Sequence, residues 1–461
     1  MSEQSNGRFK EQGGVATMDP SRFLRWATSR LMTKMSAESR LRKVRAKLES
    51  ARQKKGEPHR VEYFHQVDDG YSHLAAQLLK QLSTRYDIEL QCHLVTGATG
   101  DNSPEPELLA RLSRYEAHLV APSYNLSFPD HPQEPSAKSV KAAAQILAGL
   151  DNAAFIENAA AVGAALWSTL PDRMTALADE FNPVSADAAE QRTAQGSARR
   201  AELKHYSGAM FYYAGEWYWG VDRLYHLEQR LSELGADRTP GEPLIAPRPE
   251  TPLGPAKDNG SLTLEVYPSL RSPYTAISFD RAVDLARKTG VTLSIRPVLP
   301  MVMRGVPATR QKGIYIFTDT AREARAAGVP YGNFYDPIGE PVRRAYSLYP
   351  WAREQGKEND LISAFLRCAF ANGINTNKES GLQTVVTEAG LDWQEAQQHL
   401  GSTGWEAELE ANRKAMYDAG LWGVPSFRLL DAQGNQKLAI WGQDRLWLVA
   451  KTIQAELAGA A

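Results

Sequence analysis

Trp441-Gly442-Gln443-Asp444-Arg445-Leu446 restates Trp219-Gly220-Val221-Asp222-Arg223-Leu224, 222 positions on (219 to 441). Upstream, Val61-Glu62-Tyr63-Phe64 and Asp69-Gly70-Tyr71-Ser72 can be laid on Leu264-Glu265-Val266-Tyr267 and Ser272-Pro273-Tyr274-Thr275, 203 positions on (61 to 264). Matches in the same order at similar offsets imply a duplicated domain. The copies differ where chemistry would sit. The second reads Ser-Pro-Tyr and later Gly423-Val424-Pro425-Ser426-Phe427, whereas the first reads Asp-Gly-Tyr and has no matching Val-Pro. One copy therefore reads as an enzyme and the other as a scaffold.

Working outward, Val61 to Phe64 reads as a strand, Tyr71 to Leu82 as a helix and Ile88 to Val95 as a second strand, a βαβ start. A helix-rich stretch from about 105 to 203 follows. A hairpin, Ala209 to Tyr213 with Glu216 to Trp219, then leads to a closing helix capped by Asp222. Pro240, Pro243, Pro247, Pro249, Pro252 and Pro255 make the next segment an extended linker. The second copy repeats the plan: strand Leu262 to Tyr267, helix Tyr274 to Lys288, and strand Thr292 to Val298. Helices are expected at Thr320 to Ala327, Asp360 to Ala371, Leu382 to Ala389 and Trp405 to Ala419. The hairpin Pro425 to Leu430 with Lys437 to Trp441 precedes a helix from Asp444. The expectation is an α/β chain of two tandem thioredoxin-like domains, each with an inserted helical subdomain. Its parts are a basic extension (1–60), a degenerate domain (61–239), a Pro-rich linker (240–260) and a domain carrying the candidate active site (261–461).

At 461 residues and 43% hydrophobic, the chain can bury cores of this size. No apolar run approaches the roughly 20 residues of a membrane span, and the N-terminus lacks a secretory apolar core, so the expected address is the cytoplasm. Cys92 and Cys368 form no Cys-x-x-Cys pair, which argues against dithiol redox chemistry. Residues 1–60 hold 15 Lys and Arg against 6 Asp and Glu, leaving 38 against 48 in the remainder. Such an arm fits nucleic acid, anionic lipid or an acidic partner, but the acidic body offers it a surface of its own. Phe23, Trp26, Ala27 and Leu31 at helical spacing predict an amphipathic helix packed on the protein by its apolar side. His65, Asp68, Asp69, His73 and His93 lack a tight ligand spacing, so no metal is expected.

Five ordered landmarks carry a resemblance: Ser272-Pro273-Tyr274, Arg296-Pro297-Val298-Leu299, Lys312-Gly313-Ile314-Tyr315 with Asp319, Gly423-Val424-Pro425-Ser426-Phe427, and Gly442-Gln443-Asp444-Arg445-Leu446. Residues 262–458 resemble the family that contains 2-hydroxychromene-2-carboxylate isomerases and kappa-class glutathione transferases, relatives of the DsbA thioredoxin fold. The N-terminal copy resembles it faintly. The loop Met301 to Val306 departs from the family by lacking its usual asparagine, and Asn375-Thr376-Asn377-Lys378 is polar where the inserted helices carry another pattern.

The resemblance implies that glutathione is the cofactor and that Ser272 hydrogen-bonds its thiolate, the actual nucleophile. One hydrogen bond to an ion, worth roughly 1.5–3 kcal/mol, would lower a thiol pKa of about 8.5 by about 1–2 units. A helix cap alone is the other role for Ser272. Val424-Pro425 resembles the cis-proline motif, with Val424 pairing its backbone to the cysteinyl part of glutathione. Asp444 would take the γ-glutamyl ammonium beside Gln443, or would serve only as a helix cap. Lys312 matches a basic residue that approaches the ligand. Tyr274, Trp351 and Trp422 are aromatic walls for a planar substrate, or simply core.

The reading that follows is a glutathione-dependent isomerase of aromatic, 2-hydroxychromene-2-carboxylate-like compounds. A kappa-class-like glutathione transferase and a non-catalytic thioredoxin-fold interaction protein are the alternatives. A disulfide oxidoreductase conflicts with the missing cysteine pair. The expected partner is a small aromatic substrate, without nucleic acid, and the first domain is a candidate replacement for the second subunit of related dimers.

Overall fold

A computed structural model describes residues 19–130, 132–168 and 171–459; His131 and residues 1–18 of the basic extension lie outside them. Two units emerge: Arg42–Pro249, and a second that joins the residues before Arg42 to those from Glu250 on. The extension is thus divided between the units at Leu41, inside the helix Glu38–Lys55.

In Arg42–Pro249, strands β1 (His59–His65), β2 (Ile88–Leu94), β3 (Met210–Tyr213) and β4 (Glu216–Trp219) lie in the order β2-β1-β3-β4. β1 and β2 are parallel, and the β1–β3 and β3–β4 pairs are antiparallel. The predicted crossover helix is two short ones, Gly70–Ala76 and Leu79–Arg85. They part at Gln77, whose side-chain amide bonds both backbone groups of Ser127 at 2.9 Å. The insertion runs from Pro106–Val120 to Ala186–Glu202. Asp222 is not the expected cap: it lies in a 3-10 turn and accepts from the Tyr124 hydroxyl, and the helix Leu224–Glu233 has no side-chain cap.

His65, His73 and His93 of this unit serve packing. His65 pairs with the Tyr63 hydroxyl at 3.0 Å, and His93 with Glu62 at 3.0 Å. His73 is buried against Gly163, where even a Cβ would lie 2.2 Å from its Nδ1. Among the described residues no group of three or more His, Cys, Asp and Glu is placed to hold a metal.

The other unit repeats the sheet: β5 (Thr263–Tyr267), β6 (Thr292–Ile295), β7 (Ser426–Leu430) and β8 (Gln436–Trp441), in the order β6-β5-β7-β8 with the same pair directions. β6 ends at Ile295, short of the predicted Val298. Arg296 and Val298 still donate to the carbonyls of Val266 and Pro268, but Pro297 between them has no N–H to give. Three helices unforeseen in the sequence, Glu340–Ser347, Tyr349–Glu354 and Trp393–His399, join the insertion. The proline-rich segment has no regular structure, yet it is held. Ile245 and Ala246 donate their N–H groups to Glu228, and Gln454 bonds both backbone groups of Ala256.

The helix Arg22–Ser36 forms as the spacing predicts, but it packs by the opposite face. Arg25, Ser29 and Ser36 are buried, whereas Phe23, Trp26 and Leu31 are exposed. Arg25 donates to the carbonyls of Asp336 and Ile338 at 2.8 and 2.6 Å, Ser29 accepts from the Asp336 N–H, and Ser36 donates to Gly332. These backbone groups sit in a loop without a ladder of its own, and the polar stripe of the helix supplies their partners.

Burial holds three histidines of Arg42–Pro249 neutral: His65, also disfavoured by His73, is pushed down to about 3, His73 to about 4, and His205, also disfavoured by Arg200, to about 3. Unfolded, each titrates near 6.5, so the unfolded chain binds more protons as pH falls. Stability is therefore fully present above about pH 6.5 and is lost below it, with a combined slope approaching roughly 4 kcal/mol per pH unit. Hydrogen exchange on the whole chain should show protection of β1 and β2 amides collapsing between pH 7 and pH 5 relative to β5 amides. Parallel pH profiles for the two sheets would contradict this.

Candidate functional site

Ser272 ends the loop after β5 and opens the helix Pro273–Thr289. Its extended backbone and the proline in the first turn fit an N-cap, and its Oγ accepts from the Thr275 N–H at 3.1 Å. The same hydroxyl donates to the Val424 carbonyl at 3.3 Å. Val424–Pro425 is the cis peptide bond of the described residues, as the sequence predicts. One oxygen thus joins a helix N-terminus to the loop before β7. In this position it faces the positive end of the helix dipole, a place that favours an anion.

Trp422 is buried beside this loop, edge-on to Trp441 with ring centroids 5.5 Å apart. Gly423 is required between them, because a Cβ there would come within 2.4 Å of the Trp441 indole nitrogen. The Lys312 ammonium lies 5.1 Å from the Trp422 ring centroid, and burial pushes it down to about 8.

The helix Arg310–Ala327 organises the site. Thr309 caps it, accepting from the Lys312 N–H at 3.2 Å, so it begins ten residues before the predicted Thr320 (310 against 320). Lys312, Asp319 and Glu323 fall at i, i+7 and i+11, on one face. Lys312 reaches Trp422, Asp319 accepts from the Tyr274 hydroxyl at 2.8 Å, and Glu323 accepts from Gln443 Nε2 at 2.8 Å. Tyr274 is therefore anchored by a buried carboxylate that Arg322 also bonds at 2.6 Å. Gln443 is buried too, and its Oε1 has no partner among the described residues; the same holds for the Trp422 indole N–H.

Asp444 occupies the middle of the 3-10 turn Gln443–Arg445, 3.7 Å from the Arg445 guanidinium and ahead of the helix Leu446–Gly459; the N-cap of the turn is Gly442. Trp351 is buried in the insertion, stacked on His399 at 5.3 Å. The structure thus brings Ser272, Val424 and Pro425 together, sets Lys312 on Trp422, and ties Tyr274 and Gln443 to one helix. It places Trp351 as insertion core.

Two groups went unnoticed in the sequence. Glu323 is part of the 312/319/323 stripe, visible only once the helix start is placed at Thr309. Asp336 binds Arg271, the residue before Ser272, at 2.9 and 3.0 Å; burial raises its carboxyl, but Arg271 outweighs that and holds it below the usual carboxylate range. No sequence signal marked this pair, which is 65 residues apart.

Residues 263–454 match the model of the DSBA-like thioredoxin domain. Over 196 residues the chain is 25% identical to a 2-hydroxychromene-2-carboxylate isomerase of Sphingobium xenophagum, covering 40% of this chain and 94% of the relative. Among solved structures, a 2-hydroxychromene-2-carboxylate isomerase is similar at 19% identity and a TM-score of 0.36, over 43% of this chain and 99% of that one. The cytosolic disulfide reductase DsbM of Pseudomonas aeruginosa with GSH is similar at 15% identity and a TM-score of 0.32, over 43% and 98%. The C-terminal part of the chain is a DSBA-like thioredoxin domain.

The depressed Lys312 makes a stability prediction. An unfolded lysine titrates near 10.4, so at neutral pH burying the ammonium opposes folding, and the opposition is relieved as pH rises from about 8 toward 10. Lys312→Met keeps the stem over Trp422, so urea unfolding at pH 7 should show equal or greater stability, with the gain shrinking toward pH 10. A loss at pH 7 would mean that the ammonium stabilises the fold.

Proposed function

We propose that the DSBA-like domain binds glutathione and uses its thiolate on a small conjugated aromatic substrate, as an isomerase. The observation that carries the reading is the Ser272 hydroxyl at a helix N-terminus, 3.3 Å from the carbonyl of the cis Val424–Pro425 bond. A thioredoxin-type enzyme places a cysteine there. The two cysteines of this chain stand elsewhere and are poor nucleophiles: burial pushes Cys368 up to about 12 and raises Cys92 further. An external thiol is the reagent that fits. The 2-hydroxychromene-2-carboxylate isomerase relative supports the choice of reaction class.

The residues present suit glutathione. Ser272 would hold the thiolate, the Val424 backbone the cysteinyl peptide, Lys312 a carboxylate, and Asp444 the γ-glutamyl ammonium. The buried Gln443 Oε1 and Trp422 N–H, without partners among the described residues, are groups that a polar ligand would satisfy. When bound, glutathione supplies a sulfur nucleophile that adds reversibly to a conjugated carbon. The chain's own part is to give that sulfur a hydroxyl proton bond. The bond Ser272 now makes to Val424 is long, so its exchange for a sulfur anion costs little. Trp422 and Tyr274 would flank the substrate. The unpaired thiols fit a reducing compartment, the cytoplasm.

In the same reading, Arg42–Pro249 is a degenerate second copy. Supporting it are the shared strand order, Asp69 capping the helix Gly70–Ala76 as Ser272 caps Pro273–Thr289, and Tyr71 bonding Glu116 as Tyr274 bonds Asp319. Gly220 donates to Ala209 as Gly442 donates to Pro425. At the cis-proline position this copy has Ala209. Asp69 spends its carboxylate on Ser72 and Ser113, which leaves a scaffold.

Glutathione titrated calorimetrically into the full chain should bind saturably, and its thiol should ionise about 1–2 units below its free value by difference absorbance. Ser272→Ala should remove most of that shift and cost about 1 kcal/mol of stability through the lost cap. An unshifted bound thiol in the unsubstituted protein would end this mechanism.

Asp444→Asn tests the ammonium contact separately. Losing a charge-assisted bond of roughly 1.5–3 kcal/mol should weaken glutathione about 10- to 150-fold, with stability nearly unchanged. Affinity that stays the same would leave Asp444 without a ligand role.

A further inference from the structure

The helix Arg22–Ser36 buries the face that water would accept and exposes the face that water rejects. Phe23 is 74% exposed, Leu24 51%, Trp26 48% and Leu31 52%. Ordinarily the apolar stripe of such a helix faces a core. Here the inward side is fixed by hydrogen bonds that Arg25, Thr33 and Ser36 donate to the loop from Gly332 to Ile338 and that Ser29 accepts from it, so the helix cannot roll its apolar side inward without breaking them.

Phe23, Trp26, Arg30, Leu31 and Lys34 recur at i, i+3, i+7, i+8 and i+11, a single outward stripe. Its charged members are cations, and the helix contains no acidic residue. Arg22 adds a third exposed cation at the N-terminal end. A protein interface concentrates aromatic residues at its centre and depletes lysine there. In this stripe Arg30 lies between Trp26 and Leu31, while Arg22 and Lys34 bracket the apolar side chains at the two ends. That interleaving suits a lipid headgroup layer, where rings enter the acyl boundary and long cationic stems reach back to phosphate. A second copy fits poorly, since stripe against stripe would set like charges together.

We infer that this helix is a peripheral docking surface for an anionic phospholipid membrane, with Phe23, Trp26 and Leu31 entering the interface and Arg22, Arg30 and Lys34 contacting headgroup phosphates. The helix lies on the surface and does not span it; no helix of the described residues is long and apolar enough to cross a membrane. This inference does not depend on glutathione chemistry, because none of these side chains belongs to the Ser272 site.

The test is flotation of the full chain with vesicles of phosphatidylcholine alone or mixed with phosphatidylglycerol. Each cation near an anionic surface contributes about fivefold, so the mixed vesicles should be preferred by roughly a hundredfold, and high salt should abolish the preference. Phe23→Ser/Trp26→Ser/Leu31→Ser should lower binding at least about tenfold. Arg22→Glu/Arg30→Glu/Lys34→Glu should erase the preference while leaving the apolar stripe intact. Circular dichroism checks that both variants fold. Protein that stays unbound to mixed vesicles at low salt overturns the inference, as does a triple serine variant that floats like the unsubstituted chain. A dimer by light scattering that the serine variant dissociates, or an acidic protein that displaces the vesicles' role by binding the same stripe without lipid affinity, overturns it too.

Discussion

The Ser272 hydroxyl accepts a hydrogen bond from one segment and donates one to another, and the site depends on that double use. The donor N–H belongs to the first turn of a helix, the acceptor carbonyl to a loop 152 residues further on. A cap of this sort ordinarily ends a local transaction within four residues. Here it also sets the separation between a helix N-terminus and the edge of β7, which is the gap a peptide-like ligand would have to fill. The helix Arg310–Ala327 then closes the frame by touching Trp422, Tyr274 and Gln443 from one stripe.

Much of this was legible beforehand, for physical reasons. Strands with alternating or continuous apolar patterns leave local marks, as does the amphipathic helix expected at Tyr274 to Lys288, and each fell within a few residues of its predicted place. Val424-Pro425 was legible as a motif and is cis. The helix start at Thr309 was hidden because Gly313 and the branched residues Ile314 and Ile316 weaken the local helical signal, while tertiary contacts from Lys312 and Asp319 hold it. Arg25, Arg271 and Asp336 were invisible, because nothing local announces a buried ion pair. The orientation of Arg22–Ser36 was misjudged for a related reason: periodicity identifies two faces but not which one finds hydrogen-bond partners.

The two sheets show what a single position can change. At the start of the helix after β1, Asp69 is bonded by the Ser72 N–H and hydroxyl and by Ser113, and burial pushes its carboxyl up against those bonds. At the matching place after β5, a neutral hydroxyl makes one cap bond and one long bond. The carboxylate is engaged on both oxygens, whereas the hydroxyl keeps acceptor capacity and a donor held only by a long bond. A cap engaged on both oxygens stabilises a turn, whereas a more lightly bonded one keeps capacity for something brought from outside.

The bonds from Arg25 to Asp336 and Ile338 bridge 311 and 313 positions of chain, with the whole of Arg42–Pro249 in between. During synthesis at about 5–20 residues per second, the partners of Arg25 leave the ribosome on the order of tens of seconds after it does. A lone 15-residue helix is marginal in water, so for that interval the segment has no settled shape. The intervening unit has its own sheet and can form meanwhile. The docking of Arg22–Ser36 must then wait until the loop from Gly332 to Ile338 has emerged, and a ribosome stalled before residue 336 would hold a chain in which this helix has nowhere to dock.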